Sequence, residues 1–165
     1  MQRTLASSLY DATVLGNTYS DQNCSIAGAL ELVGERWTLL ILREVFLGTR
    51  RFDDFQRNLG IARNVLQSRL ERLAHEGVLR RERYQERPER FEYKLTRKGV
   101  DLWPVLVSLM KWGDKYTAAN GPPVVMRHVG CGGEIDDRRI CTACGKHLEA
   151  NESMPELGPG AAISA

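Results

Sequence analysis

The chain has 165 residues, 42% of them apolar, and 23 Lys/Arg against 21 Asp/Glu, a net charge of +2. That length suits one domain with a real core plus a small appendage, and the ordinary apolar share excludes wholesale disorder. The sequence has no apolar run of membrane-spanning length, and the start, MQRTLASSLYDATVLG, lacks the apolar segment and cleavage pattern of a signal peptide. A cytoplasmic protein is expected, with no membrane partner and with its four cysteines serving as thiols or ligands rather than as a disulfide framework.

Residues 1–22 form an N-terminal arm in which Leu5, Leu9, Ala12 and Leu15 mark at most a short helix. From 25 to 47, Ile26, Leu30, Val33, Trp37, Leu40, Ile41 and Val45 recur at helical spacing, with Gly34 as a point of close approach or a break and Gly48 as the stop. RFDDFQRNLG is a short helix with Phe52, Phe55 and Leu59 facing inward. After a tight turn, residues 62–75 carry the stripe Leu66, Leu70, Leu73, closed by Gly77. The period then changes to two. VLRRERYQ and RFEYKLT flank ERPER, which makes residues 78–96 a β-hairpin with Arg87 and Arg90 at its tip and Pro88 in the turn. Thr96 offers an N-cap for a helix over 97–118, whose apolar residues cover more than one face, so that a second face needs a dimer partner. NGPPVV is a linker, 120–150 hold a Cys/His segment, and 151–165 read as a disordered tail.

Charge is segregated along this order. Residues 50–99 hold fourteen Lys/Arg and eight Asp/Glu, a local net of +6, while the rest of the chain is acidic. A basic middle containing two short helices, a hairpin and a long helix describes a winged helix-turn-helix: mainly α with a small β-hairpin, an α+β domain over 23–119. An α-helix fits the major groove of DNA, and an arginine-tipped hairpin beside it reaches the backbone or minor groove. On helix 62–75, Asn64, Gln67 and Ser68 point away from the leucines and carry the groups that read base edges, while Arg63 and Arg72 suit phosphates. His75 is expected at the surface.

The stretch from Cys24 to about Tyr116 resembles the HxlR-type winged helix-turn-helix regulators, relatives of the MarR group. The resemblance is carried by CSIAGALELVGERWTLLILRE at Cys24–Glu44, RRFDDFQ at Arg50–Gln56, the Gly60-Ile61 block with its leucine spacing, and EYKLTRKG at Glu92–Gly99. It implies a homodimeric bacterial or archaeal transcription regulator, nucleoid-associated. Its dimer would use the N- and C-terminal helices, with 62–75 as recognition helix and the hairpin as wing. Many relatives carry Ser-Pro where this chain has Ala62-Arg63, so phosphate contact by Arg63 rests on its charge alone. The resemblance also aligns Cys24 with a cysteine that some members use to sense oxidants or electrophiles. The other reading of Cys24 is an inert small residue.

Past the resemblance lies RHVGCGGEIDDRRICTACGK, where His128-x2-Cys131 and Cys141-x2-Cys144 supply four ligands with the spacing of a zinc site. Gly132, Gly133 and Gly145 fall where each knuckle turns back. His147 is a rival fourth ligand, and a metal-free tail or a reversible Cys141/Cys144 dithiol are the competing readings. The expected function is a non-enzymatic, sequence-specific DNA-binding regulator whose partners are a double-stranded operator, a second copy of the chain and a small-molecule or electrophile effector. The alternatives are the same fold working as a thiol- or metal-responsive sensor, and a CxxC thiol oxidoreductase, which requires a thioredoxin-like βαβ context.

Overall fold

The computed structural model describes Tyr19 and residues 22–161. The short helix expected around Leu5–Leu15 lies outside the described residues. The described residues fall into two compact units that divide between Glu35 and Arg36. In the first, α1 (Ser25–Val33) buries Ala27 and Val33 and leaves Ile26 and Leu30 exposed. Of the two outcomes left open at Gly34, the break into two helices is the one realised. The backbone turns at Gly34, where a Cβ would come within 2.5 Å of the Leu30 carbonyl oxygen, a contact no side chain tolerates.

In the second unit, α2 (Thr38–Phe46), α3 (Phe52–Leu59) and α4 (Arg63–His75) pack around Ile41, Leu42, Val45, Phe55, Leu66, Leu70 and Leu73, all essentially inaccessible. The α4 stripe is thus the one its leucine spacing predicts. Of the three α3 residues, Phe55 is fully buried, with Phe52 and Leu59 half-buried. Gly60 at φ 61° and Gly77 at φ 69° end α3 and α4 in the left-handed region. Glu44, buried between α2 and α3, accepts hydrogen bonds from Arg43 (2.8 Å), Thr49 (3.0 Å) and Asn58 (2.8 Å). Burial pushes its carboxyl up, but these three donors outweigh it and hold Glu44 below the usual carboxylate range.

The hairpin is β1 (Leu79–Gln85) against β2 (Arg90–Leu95), antiparallel, with Leu79 opposite Leu95 and Arg81 opposite Tyr93. A short extension unforeseen from the sequence joins it. Arg51 bridges Glu92, and the Tyr93 N–H donates to the Arg50 carbonyl at 2.9 Å, tying the wing to the loop before α3. The helix expected over 97–118 divides into α5 (Arg97–Val100) and α6 (Trp103–Tyr116). The Thr96 hydroxyl caps α5 by accepting from the Gly99 N–H, and Pro104 sits in the first turn of α6, where its missing N–H is harmless.

Residues 151–161 are not the disordered tail that their composition suggests. A 3₁₀ turn (Ala150–Glu152) leads into β4 (Ser153–Leu157), which pairs antiparallel with β3 (Val124–His128), Met126 opposite Pro155. Pro155 is tolerated because β4 is an edge strand. This ribbon is not a free appendage. Met126, Ile135, Cys141 and Leu148 form one buried cluster with Trp103 and Val107 of α6. Among the described residues, no helix is long and apolar enough to cross a membrane.

Candidate nucleic-acid interface and metal centre

Helix α4 turns its leucines inward, and the 3.6-residue period then dictates what faces out. Asn64, Gln67, Ser68, Arg63 and Arg72 are all exposed. Ala62 supplies no side-chain cap. Arg63 lies instead over the Phe52 ring, 4.8 Å from its centroid, and 3.9 Å from Asp53. Gln67 donates to Glu71 at 3.0 Å, one turn on, which orients its amide along the exposed face. His75 is at the surface, as expected.

Much of the wing's charge is internally neutralised. Glu82 pairs with Arg80 (2.7 Å) and Lys94 (2.5 Å), and Arg83 with Glu89 (3.3 Å). At the tip, Arg87 and Arg90 are exposed and enter no ion pair among the described residues. Two arginines escaped the sequence reading. Arg81 lies 3.4 Å from the centroid of Phe91, and Arg51 4.6 Å from that of Tyr84. Both guanidinium groups lie over aromatic rings and line the cleft between α4 and the wing, and Arg51 also pairs with Glu92 at 3.4 Å. The alternation of Arg81 with Phe91 and Tyr93 across the hairpin register was the available signal.

The four ribbon residues do converge. His128 Nδ1 is 3.1 Å from Cys131 Sγ and 3.3 Å from Cys144 Sγ, Cys131 Sγ is 3.4 Å from Cys141 Sγ, and all four donor atoms lie within 4.8 Å of one another. A tetrahedral ion with bonds of about 2.3 Å to sulfur and 2.0 Å to nitrogen sets its ligands roughly 3.5–3.8 Å apart. The donor set therefore fits such an ion with small adjustments. His147 is exposed and outside the cluster, which removes it as the fourth ligand. Gly132 (φ 74°) and Gly145 (φ 73°) make the left-handed turns behind the two knuckles. A Cβ on Gly133 would lie 2.6 Å from Cys141 Sγ, so that only glycine lets the first knuckle close over the second. Cys141 is buried, and the Cys144 N–H, helped by that of Ala143 and by the neighbouring thiols, pulls it down to about 6. The Gly133 N–H lowers Cys131, but the Cys141 sulfur, desolvation and the Cys144 sulfur together outweigh it and leave Cys131 raised. Cys141 is thus the sulfur most readily ionised, and the thiolate is the form in which a thiol ligates metal.

Cys24 is exposed and stands as the N-cap of α1, with Ser25 inside the helix rather than capping it.

A model of the HxlR-like helix-turn-helix family matches residues 32–120. The chain belongs to this family. An HTH-type transcriptional regulator of Mycobacterium tuberculosis is 53% identical over 137 residues, covering 82% of this chain and 87% of that protein. The solved structure of the transcription factor PA1607 superposes with a TM-score of 0.66 at 33% identity, over 81% of this chain and 94% of that one. The redox regulator HypR in its reduced form gives 0.53 at 28% identity, over 56% and 92%. Likeness to the mycobacterial regulator and to PA1607 extends beyond the family span, whereas HypR covers little more than that span. In this HxlR-like chain, β3, β4 and the metal-ligand cluster lie beyond residue 120 and so outside the family model.

Proposed function

We propose that the protein is a sequence-specific DNA-binding transcription regulator acting as a homodimer, with α4 in the major groove and the wing on the backbone or minor groove. The observation that supports it most is the exposed polar face of α4, with Asn64, Gln67 and Ser68 between Arg63 and Arg72, set beside a hairpin whose tip arginines are unpaired among the described residues. Asn and Gln suit adenine edges, whereas arginines on phosphates position without reading sequence. Operator selection from random DNA tests the reading directly. On the selected site, Gln67→Ala should cost about 1–3 kcal/mol and relax preference at one base pair. Arg87→Ala should weaken selected and random DNA alike and flatten the salt dependence by roughly one unit of slope. Equal losses for both variants on both DNAs would remove the division of roles.

The dimer is proposed from α6. Val105, Leu109, Trp112 and Tyr116 form an exposed apolar stripe at i, i+4, i+7 and i+11, on the side away from Trp103 and Val107. The ribbon is proposed as a structural zinc site with ligands His128, Cys131, Cys141 and Cys144. The ion would be held by three sulfurs and one imidazole nitrogen and would supply folding energy rather than chemistry.

A second reading concerns control. Exposed Cys24 and the likeness to HypR favour a thiol that responds to oxidants or electrophiles. Mild treatment with an electrophile such as N-ethylmaleimide should then release the operator, and Cys24→Ser should abolish the response. A response undiminished in Cys24→Ser would transfer the role to the ribbon cysteines. The thiol oxidoreductase alternative has no support, because no βαβ unit surrounds Cys141–Cys144 among the described residues.

A further inference from the structure

Helix α6 has two apolar stripes. The outer one, from Val105 to Tyr116, is described above. The inner one starts at Trp103 and continues through Val107 and Met110 at the same i, i+4, i+7 spacing, and its next position, i+11, is Asp114. An acid there breaks the pattern. Asp114 is only half-exposed, and none of the ion pairs among the described residues includes it.

Asp114 lines a cavity of about 660 Å³ bounded by α2, α6, the segment after α6 and the two ribbon strands. This is the size range that accepts a small organic molecule. Its walls are mostly apolar, with Leu40, Phe46, Met110, Met126 and Pro155 among them. Phe46 and Trp103 stand 5.3 Å apart at 43°, offering an aromatic corner. The lining holds two charged side chains, Arg43 and Asp114. Arg43 is already neutralised by Glu44 at 2.8 Å, which leaves the Asp114 carboxylate as the uncompensated charge. Burial raises its carboxyl above the usual range, and Lys111 one turn back offsets this only in part. A cation at this end of the cavity would relieve that cost.

We infer that this cavity is a binding site for a lipophilic monocation, its charge at the Asp114 end of α6 and its hydrocarbon body against Met110, one turn before it. The occupant is committed by charge: an apolar cavity of this kind takes many hydrophobic bodies, but one unpaired carboxylate selects against anions. The inference does not rest on the DNA-binding reading, because ligand binding is measured without DNA.

Tetraphenylphosphonium and tetraphenylborate have the same shape and opposite charge, and they separate the two contributions. Titrated by calorimetry into the full-length, metal-loaded protein, tetraphenylphosphonium should bind once per chain and at least about tenfold more tightly than tetraphenylborate. Asp114→Asn should erase this preference by weakening the cation while sparing the anion. Gly113 also lines the cavity, and a Cβ there meets only the Thr117 hydroxyl at 3.6 Å, so Gly113→Leu should fold and exclude both ions. Equal affinity for the two ions, or a cation affinity unchanged in Asp114→Asn, would overturn the proposal. Absence of binding by either ion would also overturn it and would indicate that a second copy of the chain covers the cavity.

Discussion

Cys141→Ser is expected to cost the protein its metal and the integrity of the whole ribbon. Serine matches the cysteine closely in volume but is a far weaker ligand, and the three remaining donors, two of them on the first knuckle, no longer close a tetrahedron. The loss cannot stay local. Cys141 is 1% exposed and belongs to the cluster that contains Trp103, Val107, Met126, Ile135 and Leu148. Metal content measured by atomic emission should fall from one ion per chain to nearly none. The thermal midpoint should drop by roughly 10 °C, the equivalent of about 3 kcal/mol in a chain of this size. Cys144→Ser, at an exposed ligand, should lose metal with a smaller thermal penalty. Unchanged metal content in Cys141→Ser would sink the ligand assignment. A wild type that carries no metal and forms a Cys141–Cys144 disulfide under mild oxidation would favour the dithiol reading instead.

Trp112→Glu should turn the protein into a monomer. Trp112 is 58% exposed at the middle of the outer α6 stripe and lies tilted against Tyr116, ring centroids 5.3 Å apart and planes at 46°. Large aromatic side chains at such positions carry a disproportionate part of interface energy, and a carboxylate in their place is left desolvated and unpaired against the partner. The fold of each chain should survive, because the residue contributes little to the subunit core. Light scattering should show half the mass at unchanged far-UV circular dichroism. Operator affinity should fall by about a hundredfold or more, since two half-sites are no longer held by one body. A dimer that persists in Trp112→Glu, or a monomer with undiminished operator affinity, would refute the assignment of that stripe.

How much of this was legible in the sequence depends on the range of the forces involved. The α4 stripe, the wing and the caps at Gly60, Gly77 and Thr96 were readable because each rests on neighbours within a turn or a hairpin. The ligand set was readable because two x2 knuckles bring their own glycines, although choosing His128 over His147 required the fold. The strand β4 was not readable. Ser153–Leu157 contains a proline and only five residues, and its partner lies some thirty positions earlier. The break between α1 and α2 was masked by an apolar period that runs straight through it, while Gly34 admitted either outcome. Asp114 was visible as an acid on an apolar stripe. Its place in the wall of a cavity appeared only once the ribbon had folded against α6.

The cluster that joins α6 to the ribbon constrains how such chains diverge. A descendant that dropped the residues after Gly121 would expose Trp103, Val107 and Met110 at once. It would therefore need polar replacements at all three positions before the truncation became tolerable. Conversely, a ribbon fused to a last helix that is polar at these three positions would find no apolar surface to pack on. The identities at 103, 107 and 110 should thus change together with the presence or absence of the knuckle residues, an inherited linkage between a helix and a segment that the family pattern treats as separate.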